Sequence, residues 1–149
     1  MLEAFADLWR LRSSGYRIAV TTNGWIKRDG SAVMGRGTAK RATELVPGIA
    51  ARLGAHLVRE GNVPWIDPVS GIVTIPVKHI WNEPADLALI ADSLKRLPAL
   101  IEANGITKLH LPRPGCGNGK LKWEGVRPVC AALLDDRFVV VERPNMTVR

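Results

Sequence analysis

A chain of 149 residues, 46% of them hydrophobic and 23% charged, reads as one domain over residues 1–149, large enough to bury roughly 70% of its unfolded surface. Lys and Arg outnumber Asp and Glu by 21 to 14, and the net charge of +7 points to an anionic partner, nucleotide or nucleic acid, with solubility alone as the alternative. No apolar run is long enough to span a bilayer, no basic-then-apolar leader opens the chain, and Cys116 and Cys130 lack any metal or redox spacing; no membrane, no metal and a cytoplasmic setting are the expectations.

Strand and helix signals alternate along the chain, as an α/β domain requires. Leu2 to Phe5 and Ile18 to Thr22 read as strands. Thr38 to Leu45 reads as a helix that breaks near Pro47-Gly48, with another turn at Ile49 to Leu53. His56 to Val63 and Ile72 to Val77 read as strands on either side of a Pro/Gly/Asp loop. From Asp86 to Asn104, apolar residues at Leu87, Ile90, Leu94, Leu97 and Ile101 form a helical stripe. Pro98 lies inside it, where a kink or break is expected, and Asn104-Gly105 is a natural stop. Lys108 to Leu111, a helix around Val126 to Leu134, and a strand from Phe138 to Glu142 complete the pattern.

Two glycine clusters stand out. Gly115-Cys116-Gly117-Asn118-Gly119-Lys120 directly follows a strand, and Met34-Gly35-Arg36-Gly37-Thr38 directly precedes a helix. Glycine lets bare backbone approach a ligand, and successive N–H groups in such turns cradle anions, the more so at a helix start. Two phosphate-sized loops in one small domain point to a diphosphate held between them. In open α/β sheets ligands sit at the carboxyl ends of strands, which brings both loops and Asn23-Gly24 to one rim. The second loop fails the Walker pattern at its last position, and Gly-x-Gly-x-x-Gly is absent, so a P-loop NTPase and a Rossmann dehydrogenase are both excluded. No helix-turn-helix, zinc-finger or aromatic–basic RNA signature marks a dedicated nucleic-acid reader either.

Thr21-Thr22-Asn23-Gly24 through Val33-Met34-Gly35-Arg36-Gly37, followed by Pro112-Arg113-Pro114-Gly115-Cys116-Gly117-Asn118-Gly119-Lys120-Leu121-Lys122-Trp123, resembles the macrodomains. The branch it looks most like includes the enzyme that removes terminal ADP-ribose from glutamate and the antitoxin that strips ADP-ribose from DNA. The likeness runs from Asp7-Leu8-Trp9 to the last strand. It implies a three-layer α/β/α sandwich with a central mixed sheet that binds ADP-ribose and needs no cofactor.

Carried over residue by residue, the resemblance makes Asp7 the acceptor for the adenine amino group; read alone, Asp7 is a solvated loop carboxylate. Asn23, with Thr22 beside it, would lie near the distal ribose; read alone, Asn23-Gly24 is a turn. Gly35, Arg36, Gly37 and Thr38 would form the first diphosphate loop. Gly115, Cys116, Gly117, Asn118, Gly119, Lys120 and Leu121 would form the second. Cys116, by itself, reads as small packing rather than a nucleophile.

Lys78, in Ile75-Pro76-Val77-Lys78-His79-Ile80-Trp81, occupies the position of a catalytic lysine in that branch, which attacks or stabilises the anomeric carbon of the distal ribose. Its other reading is a solvated lysine at a strand end. The chain departs from the glutamate-directed enzyme at Gly119, where that enzyme carries an aspartate partner; the DNA-directed branch also reads glycine there. His79 is a second candidate base, and Trp25 and Trp81 are candidates to line the ligand. Four functions follow: a hydrolase removing ADP-ribose from a modified macromolecule, DNA ahead of protein; a non-enzymatic ADP-ribose reader; a hydrolase of ADP-ribose 1″-phosphate or O-acetyl-ADP-ribose; and a basic nucleic-acid-binding module.

Overall fold

Because successive side chains on a strand point to opposite faces, a strand of continuous apolar residues must be covered on both. The computed structural model, which describes residues 1–144, shows this arrangement. The elements follow in the order β1 (Leu2–Phe5), α1 (Leu8–Ser13), β2 (Ala19–Asn23), α2 (Gly37–Leu45), α3 (Ile49–Glu60), β3 (Trp65–Ile66), β4 (Val73–Lys78), α4 (Leu87–Ala103), β5 (Leu109–Pro112), α5 (Trp123–Leu133) and β6 (Phe138–Glu142). One ladder runs β1-β6-β5 and the other β2-β4-β3. A parallel bridge from Ile18 to His110 brings β2 beside β5, giving one mixed sheet in which only β3 is antiparallel.

The alternation sorts the core into two halves. Ala19, Val73, Ile75, Leu109, Leu111, Phe138 and Val140 pack under α4 and α5, together with Ile90, Leu94, Leu97 and Ile101 of the α4 stripe. Ile18, Val20, Ile72, Val139 and Val141 face the other way, onto α1, α2 and α3 through Leu8, Ala42, Ile49, Leu53 and Leu57. Truncating a fully buried member such as Leu94 to Ala costs about 2–5 kcal/mol. The chain is thus a three-layer α/β/α sandwich.

Two expectations need correction. The segment His56 to Val63 is not a strand: α3 continues from Ile49 to Glu60, because Ile49, Leu53 and Leu57 recur every four residues and bury one helical stripe while Val58 points to solvent. Gly61, at φ 86°, ends it. The α4 helix runs through Pro98 without a break, its apolar stripe holding it against β4 on either side of the missing N–H. A short helix, α1, follows Asp7 where no helix was expected, and the two-residue β3 was likewise not anticipated.

Candidate functional site

The parallel strands β2, β4 and β5 end on the same rim, and a cavity of about 600 Å³ opens there. Its lining joins Thr21, Thr22 and Asn23 of β2, Val77 and Lys78 of β4, the segment Val33 to Ala39, Trp25, Lys27 and Trp81, and Pro112, Arg113, Gly115, Gly117, Asn118 and Gly119. Both glycine clusters therefore reach one cavity. Four of these residues are cationic, Lys27, Arg36, Lys78 and Arg113, and none is a carboxylate. Such a cavity selects anions.

The backbone supplies further donors. No side chain caps the start of α2, and its first turn carries no acidic residue, so the N–H groups of Gly37, Thr38 and Ala39 face the cavity with the positive end of the helix dipole. Across from them, the N–H groups of Gly117, Asn118 and Gly119 have no acceptor among the described residues. The loop they belong to is held from within. Leu121 N donates to Gly115 O at 2.9 Å, Lys120 N to Gly117 O at 3.0 Å, and Ala85 N to Gly119 O at 3.0 Å.

The glycines divide by what demands them. Gly37 and Gly115 sit at φ 58° and 75°, where a Cβ is strained, and a Cβ on Gly119 would strike the Gly115 carbonyl and Ala85. Gly35 and Gly117 are different. Neither has a left-handed φ, and a Cβ on either would meet nothing within 4 Å. The fold itself does not demand glycine at either position.

Lys78 closes β4 and is only 8% exposed. Its Nζ donates to the main-chain carbonyl of Trp81 at 3.3 Å and, among the described residues, pairs with no carboxylate. Burial pushes its pKa below the ordinary lysine value, and the positive charges of Arg36 and Lys120 push it further down. Lys120 itself holds a left-handed φ of 65°, uncommon without glycine. An amine so placed gives up its proton more readily than an ordinary lysine.

The remaining candidates fall into two groups. Thr22 is buried at the cavity floor, and Thr38 Oγ1 accepts from Thr21 N at 3.3 Å. Asn23 lines the cavity but spends half its amide on the fold: Nδ2 donates to Val33 O and Oδ1 accepts from Trp25 N, each at 2.9 Å. Asp7, Cys116, Lys120 and Leu121 do not line the cavity. Asp7 caps α1, its Oδ1 accepting from Trp9 N at 2.9 Å and Arg10 N at 3.3 Å. Cys116 and Leu121 pack toward the core under α4 and α5.

Burial pushes the Cys116 thiol up and Cys130 up to about 12, so neither is a thiolate nucleophile. His79 is bound to Asp86 at 2.8 Å, outside the cavity, and Asp86 in turn caps α4 through Ala88 N. Among the described residues, no three His, Cys, Asp or Glu side chains gather as a metal site requires.

Arg113 is a cavity residue not singled out in advance. It bonds Glu142 at 3.0 Å and lies 4.9 Å from the centre of the Trp123 ring, an arrangement between β5, β6 and α5 that no local pattern reveals. No helix of the described residues is long and apolar enough to cross a membrane.

No protein-family model matches this sequence, and no curated protein matches it. Solved structures do. Thermosipho africanus DarTG in complex with ADP-ribose superimposes with a TM-score of 0.75 at 18% identity, over 97% of this chain but 42% of that one. The macrodomain of Mycobacterium tuberculosis DarG gives 0.72 at 25% identity, over 94% of this chain and 97% of its own. The macrodomain of Thermus aquaticus DarG gives 0.71 at 24%, over 96% and 97%. This chain thus spans less than half of the Thermosipho protein and nearly the whole of the two isolated macrodomains. It has the macrodomain fold and resembles the macrodomains of DarG.

Proposed function

We propose that residues 1–149 form a single macrodomain that binds ADP-ribose and removes it from a modified macromolecule, DNA being the preferred carrier. The observation that carries this reading is Lys78: a buried amine with its pKa lowered and, among the described residues, no carboxylate partner, inside a cavity whose described lining holds no carboxylate and is faced by two sets of backbone N–H groups. The diphosphate lies between the Gly35–Gly37 and Gly115–Gly119 segments, with the distal ribose over Lys78 and Asn23. The Nζ lone pair adds to the anomeric carbon, the bond to the carrier breaks, and the carrier leaves with a proton. Water then hydrolyses the lysine–ribose adduct, returning the amine and free ADP-ribose.

DNA is preferred over protein for two reasons. The chain carries a net charge of +7, with Lys27-Arg28 and Lys40-Arg41 beside the cavity segments, which suits a phosphate backbone. Trp25 and Trp81, 46% and 41% exposed, stand at the cavity with no aromatic partner, as a stacking surface for a base requires. A cytoplasmic setting fits this reading.

One observation favours a second reading, a non-enzymatic reader of ADP-ribose: with glycine at position 119 and no carboxylate among the described lining residues, Lys78 has no acid–base partner there. Release of ADP-ribose from modified DNA, protein and O-acetyl-ADP-ribose separates the two. The hydrolase reading requires release by the parent and its loss in Lys78→Ala, with free ADP-ribose still bound. Binding of ADP-ribose without release from any carrier assigns the reader. Dominant, salt-sensitive binding to unmodified DNA assigns neither and leaves a basic nucleic-acid module.

A further inference from the structure

The end of β4 does not continue its ladder regularly. Thr21 pairs with Ile75 and Thr22 with Pro76, but Asn23 pairs with Lys78, so β4 carries one extra residue opposite the Thr22–Asn23 step. A bulge of this kind re-aims the side chain that follows it. Two contacts hold the re-aimed segment. Gly24 N donates to His79 O at 3.2 Å, and Asn62 Nδ2, from the loop after α3, donates to Lys78 O at 3.0 Å.

Asn62 fits only because residue 24 has no side chain. A Cβ on Gly24 would lie 2.8 Å from Asn62 Nδ2 and 2.9 Å from its Cγ, and Gly24 has no left-handed φ that would demand glycine for its own sake. Asn62 also keeps a buried Oδ1 with no hydrogen-bond partner among the described residues. An amide buried with one end unmet is a net cost unless its other end does something the fold or site needs.

We propose that Asn62, seated in the space left by Gly24, is a positioning residue that anchors the bulged end of β4 and so holds the Lys78 amine in the cavity. It acts on the main chain of Lys78, not on the ligand, and it does not line the cavity. With the Lys78 carbonyl held, the turn to Trp81 is held too, and the Nζ bond to Trp81 O completes a closed turn around the amine. This inference rests on the reading of Lys78 as the reacting group.

The test replaces Asn62 by Leu, which keeps the volume and removes the donor. Two readouts are followed with ADP-ribose affinity and melting temperature: the single-turnover rate of ADP-ribose release, and the titration of the Lys78 amine by NMR of ¹³C-methylated lysines. In Asn62→Leu the rate falls about 10- to 100-fold, the cost of a reacting group displaced by roughly 1 Å. Affinity holds, and the Lys78 titration moves toward the ordinary lysine value. On a Lys78→Ala background the same substitution changes nothing further. Gly24→Ala, which presses on the same amide from the other side, reproduces the effects if Asn62→Leu melts too low to use.

An unchanged Lys78 titration and rate in folded Asn62→Leu and Gly24→Ala overturns the proposal, as does a full additional loss on the Lys78→Ala background. If the parent releases nothing from any carrier, the hydrolase reading fails separately, and the Lys78 titration still decides whether Asn62 positions the amine.

Discussion

Gly37 and Asn118 meet across the cavity: a Cβ on Gly37 would lie 3.0 Å from Asn118 Nδ2. The start of α2 and the loop after β5 come from positions about eighty residues apart in the chain, yet they line one cavity. A diphosphate bound there would meet both sets of N–H groups at once, so damage to either loop should be felt by the same ligand.

Gly117→Val is the cleanest test of that cradle. Its Cβ would meet no protein atom within 4 Å, so the melting temperature should stay near the parent's while calorimetric binding of ADP-ribose disappears. Gly119→Ala should behave differently. There the Cβ strikes the Gly115 carbonyl and lies 2.8 Å from Ala85, so stability should drop with binding, by about 1–3 kcal/mol for an overpacked site. Undiminished binding by Gly117→Val would remove the second loop from the phosphate site.

The rate of ADP-ribose release should rise with pH as Lys78 loses its proton. Burial, with Arg36 and Lys120, places its pKa below the ordinary value of 10.5, so the midpoint of that rise lies below 10.5. Removing a neighbouring positive charge relieves repulsion in the protonated form and raises the pKa. Lys120→Asn, which tolerates the left-handed φ at this position, should therefore shift the midpoint to higher pH without altering the plateau rate. A pH–rate profile of parent and variant decides it, and an unmoved midpoint would show that Lys120 does not act on Lys78.

The sheet and the paired glycine loops were legible because they rest on short-range patterns: apolar, β-forming stretches at Ala19–Val20 and Phe138–Val141, and glycine clusters just after a strand or just before a helix. The α3 helix was misread over His56 to Val63 because Leu57-Val58 looks strand-like in isolation, and only the spacing back to Leu53 and Ile49 reveals the buried stripe. Lys78 could be placed at a strand end, but not buried, since burial comes from the bulge against β2 and from α4. Arg113 and Asn62 owe their positions entirely to contacts across 29 and 16 residues, to which no local signal corresponds.

Asp7 needs a substitution that spares its second task. Because Asp7 Oδ1 caps α1, Asp7→Ala removes a cap worth about 0.5–2 kcal/mol and confounds stability with binding. Asp7→Asn keeps a good capping oxygen and turns an amide N–H₂ toward the place where the resemblance puts the adenine amino group. ADP-ribose should then bind about 1–3 kcal/mol more weakly, with the fold intact. The inosine analogue, whose six-position oxygen accepts from that amide, should lose less. Calorimetry with both nucleotides measures the difference, and an equal loss for each would place the adenine away from Asp7.

At the opposite end of β4 from Lys78, Asp67 is fully buried and supports the fold rather than the site. Burial alone would raise its pKa, but Arg52 Nε and Nη2 at 2.7 and 3.0 Å, with Ser70 Oγ at 2.6 Å and Ser70 N at 3.1 Å, hold it at about 2. The folded value lies below the ordinary 3.8, so the carboxylate's contribution is complete above pH 3.8 and is lost as pH falls through about 2. That contribution is about 2 kcal/mol at neutral pH. Asp67→Asn should remove at least this much at pH 7, since it also leaves the Arg52 guanidinium without its charge partner. The gap between parent and variant should narrow steadily from pH 4 to pH 2 in urea unfolding, while ADP-ribose affinity at pH 7 stays unchanged. A gap that persists undiminished at pH 2 would mean that Asp67 contributes through shape and neutral hydrogen bonds, and that its charge adds nothing.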